Sequence, residues 1–193
     1  MPEILEPGAG FVFMKVGTHA RENFADILAR KRKEIKDAGY AFWGYGGNTC
    51  HPLTMVQPFA RDFVKRDGAI YLCMQPMESK HFAEQERARE FSQDGIRWEV
   101  IPPTINVLGS RYALAIGDLE DQPFELPLSH TRVAIGNSLG RRGDKYVTGR
   151  VDKACLEVVD DPTSGDDDEP EPEPVHIGHV ARLVEPYAVL LRN

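Results

Sequence analysis

Residues 42–52 read Phe-Trp-Gly-Tyr-Gly-Gly-Asn-Thr-Cys-His-Pro. These residue types, at this spacing, suit ligand recognition. Trp43 and Tyr45 offer flat faces for stacking on a planar base or ring, and Phe42, one residue out of step, points into the core. Gly44, Gly46 and Gly47 let the backbone turn and come close, and the N–H groups of such a turn can converge on an anion. Asn48 supplies directional hydrogen bonds. His51 is held extended by Pro52 and can read a polar edge or act as an acid or base. The competing reading is a packed glycine turn whose tryptophan fills the core.

A second stretch, residues 135–146, places Ser138 and the pair Arg141-Arg142 among three glycines. A guanidinium grips phosphate through a flat two-pronged fork. The stretch is not a phosphate loop of the Walker type, since its glycines stand too close and no Lys-Ser/Thr follows. Its flanks read strand to strand, so no helix dipole assists. A hairpin with solvated arginines is the plainer alternative. An anion site built from both stretches requires the fold to bring them to one cleft.

Other candidates for chemistry are thinner. Cys50 and His51 are adjacent on an extended chain and point in opposite directions, a poor arrangement for a thiolate pair. Cys73 and Cys155 sit in apolar strand patterns. Asp118, Asp144 and Asp152 fall at strand ends or turns, where aspartates hold magnesium with phosphate oxygens or simply shape the turn. No metalloenzyme spacing of histidine or cysteine occurs. No resident cofactor is expected, and magnesium enters only with phosphoester chemistry.

The elements that must position these residues follow from periodicity. Residues 10–17 alternate as a strand. Residues 18–40 predict one long N-terminal helix, capped by Thr18 and stopped at Gly39, with Phe24, Ile27, Leu28 and Ile35 on its apolar face. Residues 58–68 and 81–91 predict short helices, and 69–75 a buried strand. Strand signals then dominate: 96–101, 111–119, 131–136, 145–159 and 184–191. Without strand–helix alternation a doubly wound parallel sheet is disfavoured. The expected fold is α+β: a mixed, mainly antiparallel sheet curled into a small barrel, with a cleft at one mouth and the helices packed across it.

Residues 160–174 hold eight acids and no base. Without them the chain has 23 bases against 22 acids, so the overall net charge of −7 belongs to this segment. Like charges and prolines read as a mobile, solvated insertion within one domain spanning 1–193. Three cysteines in no pairing pattern suggest reduced thiols in a cytoplasm. No apolar run reaches the roughly 18 residues that span a membrane. A homodimer is compatible with a small β-rich chain.

The residues thus lead to an expected binding domain for a nucleotide-like or other anionic planar ligand. Trp43, Gly44, Tyr45, Gly46, Gly47, Asn48, His51, Ser138, Arg141 and Arg142 form the expected site. Two alternatives stand beside it. One is a phosphoesterase or nucleotide-processing enzyme using His51; the other is an interaction protein acting through its acidic insertion.

Overall fold

The computed structural model describes residues 3–80, 84–148, 151–160 and 170–193. Strand β1 (Gly10–Thr18) alternates to both sides of a sheet, and both sides are buried. Val12, Met14 and Val16 face one apolar cluster and Phe11 and Phe13 another. A strand covered on both faces needs apolar residues at consecutive positions, which is what "FVFMKV" provides. Helix α1 (Phe24–Ala38) follows, then β2 (Ala41–Tyr45), helix α2 (Gln57–Asp67) and β3 (Tyr71–Lys80). Strands β4 (Glu90–Ser92), β5 (Glu99–Val100), β6 (Tyr112–Leu126) and β7 (Thr131–Val133) come next. A four-residue helix α3 (Gly143–Tyr146), β8 (Lys153–Val158) and the long β9 (Val175–Arg192) complete the order.

All nine described strands join one sheet, in the order β2-β6-β9-β3-β1-β8-β7, with β4 attached to β9 and β5 to β4. Only β1 and β3 run parallel; the other described pairs are antiparallel. The strand order has two free ends, β2 and β7. The sheet is therefore open, and the expected barrel is corrected to a sheet covered on both faces. Helices α1 and α2 cover one face, through Ile27, Leu28, Phe59, Ala60 and Phe63. The 86–107 segment covers part of the other, through Ala88, Ile101, Ile105 and Val107.

The long N-terminal helix is also corrected. Thr18 is the last residue of β1, not a cap. Ala20 and Arg21 take left-handed φ values of 48° and 63°, and His19 and Glu22 bridge one another, so the chain makes a tight turn first. Asn23 then caps the helix, its side chain accepting from the Asp26 N–H at 2.9 Å. The real helix is 15 residues long and follows a strand. Its end falls as expected, at left-handed Gly39. The helix expected over 81–91 fails across its described part. Ala88 donates its N–H to Val107 and Arg89 to Arg192, so tertiary pairing extends this segment despite its helical composition.

Helix α2 lies close on β1 because Gly10 has no side chain. A Cβ there would meet the Phe63 ring at 2.3 Å. Gly10→Ala is therefore expected to destabilise the protein by about 1–3 kcal/mol through overpacking. Urea melts of the variant against the parent check this.

Candidate functional site

A cleft of about 750 Å³ opens where β1 ends, on the helix side of the sheet. Its walls are the end of β1, one face of α1, the end of β2 with the turn that follows, the 106–110 loop and the start of β8. Trp43, Gly44, Tyr45, Gly46, Gly47, Asn48 and Thr49 all contribute to the wall. The first glycine-rich stretch is thus a cleft wall.

The rings, however, serve mainly as core. Trp43 is 6% exposed and sets its edge against Phe24, centroids 6.4 Å apart at 83°. Tyr45 is 4% exposed, and its hydroxyl donates to the Cys50 carbonyl at 2.6 Å. That bond closes the turn across its own mouth. Burial pushes the Tyr45 hydroxyl pKa well above the usual tyrosine value, so it stays a donor. Phe42 faces the opposite side of the sheet, among Phe91, Ile101 and Ala113. Gly44 is required by close approach: a Cβ there would lie 2.3 Å from the Ser110 hydroxyl. Gly47 takes φ +89°, which a side chain resists.

His51 does not line the cleft. Its Nδ1 accepts from the N–H groups of Leu53 and Thr54 at 3.3 and 3.4 Å, capping the π-helical turn Pro52–Val56 that runs into α2. Ser138, Arg141 and Arg142 also stand apart from the cleft wall. They belong to the loop after β7, where the Arg141 N–H donates to the Ser138 carbonyl at 3.0 Å. Arg142 grips Asp144 with both prongs of its fork, at 2.6 and 2.7 Å. Burial opposes charge on Asp144, but Arg142 holds its carboxyl below the usual range. The two glycine-rich stretches therefore do not share this cleft.

What sequence reasoning missed are cations on other elements. Lys15, Arg30, Lys31 and Lys153 line the cleft, against Glu22 and Asp152. Arg30 pairs with Glu22 at 2.5 Å and with Glu34 at 3.1 Å, and also donates to the Asn106 carbonyl. Lys31 donates to Glu34 at 2.9 Å and to that same carbonyl at 2.6 Å. Lys153 is 5% exposed and donates to Asp152 at 2.6 Å. Its ammonium lies 3.3 Å from where a Cβ on Gly47 would stand, directly over the turn. The signal for Lys31 was present as a charge on the apolar side of a helix. Lys153 carried no local signal, because only strand pairing with Met14 shows which face it takes.

His19 also lines the cleft. Its Nε2 donates to the Leu108 carbonyl at 3.0 Å and lies 3.5 Å from the Ser110 hydroxyl. A nitrogen that donates to a carbonyl carries the ring proton, so Nε2 cannot take the Ser110 proton in this arrangement. Asp118 accepts from the adjacent Leu119 N–H, while Asp144 and Asp152 are taken by Arg142 and Lys153. Among the described residues no group of three or more His, Cys, Asp or Glu could hold a metal ion. No helix of the described residues is long and apolar enough to cross a membrane.

Two measurements follow from this packing. Trp43→Ala is expected to cost about 3–5 kcal/mol, the size of a lost core aromatic, and urea melts read it directly. Burial lowers the Lys31 amine to about 8, with Glu34 opposing that shift. The unfolded chain holds this proton up to the ordinary lysine value of 10.5, the folded one only to about 8. Between those values the unfolded state binds more protons, so Lys31's contribution to stability rises with pH. The stability difference between the parent and Lys31→Met should shift in the parent's favour from pH 8 to pH 10. A pH-independent difference would sink the assignment.

Compared with family models, with curated proteins and with solved structures, the chain finds no match in any of the three.

Proposed function

We propose that the cleft binds a small anionic ligand, with phosphate-bearing, nucleotide-like molecules as the first class to try. Lys153 carries this reading. An ammonium has three N–H donors, and among the described residues only Asp152 accepts from this one. Burying a charge whose donors are not filled is costly, and an anion in the cleft would fill them. The Gly46-Gly47 turn lies under the same ammonium, so turn N–H groups and a fixed charge are available to one guest. Asn48, Thr49 and Ser110 add polar partners around it. With Trp43 and Tyr45 nearly buried, the site reads charge and hydrogen-bonding edges more than a stacked ring.

The test is a thermal-shift series with inorganic phosphate, pyrophosphate, mononucleotides and, as a non-phosphate anion, citrate. A ligand at 100 times its dissociation constant adds about 2.7 kcal/mol, or about 5–10 °C in Tm for a chain of this size. Lys153→Met should abolish that shift while the variant still melts cooperatively. If no anion raises Tm, or if the variant responds like the parent, the cleft is not an anion site.

A further inference from the structure

Cys50 and Cys155 bring together two thiols that stand 105 residues apart in sequence. Their sulfurs are 3.9 Å apart, and each residue is 1% exposed. Cys155 lies in mid-strand on β8, on the same face as Lys153. Cys50 ends the glycine turn, in a left-handed conformation with φ 56°. Its neighbour Thr49 lines the cleft. The third thiol, Cys73, is fully buried in the cluster on the far side of the sheet. We infer that Cys50 and Cys155 are a dithiol pair that closes reversibly to a disulfide, with a peroxide as the oxidant.

The distance favours this pair. A disulfide needs its sulfurs at about 2.05 Å, so the gap closes by about 1.9 Å, within the swing of two cysteine side chains. Position orders the two sulfurs. Cys155 lies within β8, whereas Cys50 directly follows Thr49 of the cleft wall, so Cys50 is the sulfur that a peroxide in the cleft meets first, and it takes the first oxidation. Its sulfur attacks one peroxide oxygen as a thiolate; the O–O bond breaks, hydroxide leaves and takes up the thiol's proton as water, and a sulfenic acid remains. Cys155 then attacks that sulfur. The S–S bond forms, the S–O bond breaks, and the second water leaves with the Cys155 proton. Two thiols have lost two electrons, and the peroxide has gained them.

The bond would tie the end of the glycine turn to β8, two residues from Lys153. Any effect on ligand binding rests on the anion-binding reading; the bond itself does not.

The experiment treats the folded protein with hydrogen peroxide, blocks remaining thiols under denaturing conditions and maps tryptic peptides. The expected result is a cross-link between peptide 37–61 and peptide 154–182, with Cys73 still blocked in peptide 67–80. The intact mass should fall by two hydrogens, and dithiothreitol should restore all three thiols. Cys50→Ser should abolish the cross-link and leave Cys73 as before. Three blocked thiols after peroxide, oxidation of Cys73 in step with the others, or sulfinic acid at Cys50 without a cross-link would overturn the inference. Thermal shifts with pyrophosphate on reduced and oxidised protein separate the two ideas. A cross-link without any ligand shift in either form upholds the thiol pair and removes the anion site.

Discussion

One buried carboxylate holds the cleft's walls together. Glu34 is 3% exposed at its side chain, and it accepts from Lys31 at 2.9 Å, from Arg30 at 3.1 Å and from the Asn106 N–H at 3.0 Å. A carboxylate taken out of water at that depth is tolerable only when its lone pairs are filled. Here two cations of α1 and one backbone group of the 102–110 loop fill them. The cations go further. Both donate to the Asn106 carbonyl, and Arg30 reaches back to Glu22 at the turn after β1. Helix, loop and strand-end turn therefore meet at one charge cluster, which ties each of them to the other two beside a sheet whose faces are otherwise filled.

The sheet supplies the opposite wall. Strand β1 is covered on both sides, and its end runs into the cleft, so the last ordered residues of a buried strand carry the opening. The pairing Met14 with Lys153 turns the lysine toward the helices, and the pairing of β2 with β6 fixes where the glycine turn begins. The Tyr45 hydroxyl bond across that turn then sets its closure. Each contribution is a single strand register or hydrogen bond, and the charged and polar lining of the cleft arises from their coincidence.

Much of this was legible in the chain. The strand at 10–17, the helix stop at Gly39, the helix over 58–68 and the glycine wall at 43–49 all have local causes: alternation, a left-handed glycine, a proline near a helix start, a turn. The features that were not legible depend on partners distant in sequence. Nothing near Thr18 says that the chain makes a tight turn through Ala20 and Arg21 before Asn23 caps the helix. The 84–89 segment has helical composition, yet its N–H groups are claimed by Val107 and Arg192. Arg141 and Arg142 look like phosphate ligands until Asp144, two residues on, takes the Arg142 fork. Residues 161–169 of the acidic insertion lie outside the described residues. Just beyond them, Glu171 accepts from Ser129 at 3.2 Å and from His130 at 2.8 Å, contacts that no compositional argument supplies.

Strand β9 has a consequence for how such a chain acquires its shape during synthesis. It stands between β3 and β6 and also carries β4. Until residues 175–192 leave the ribosome, β3 and β6 have no neighbour to join them, and the nascent sheet is three fragments, β2-β6, β4-β5 and β3-β1-β8-β7, with bare edges. Pairings this distant in sequence close slowly, and bare edges invite pairing with other chains.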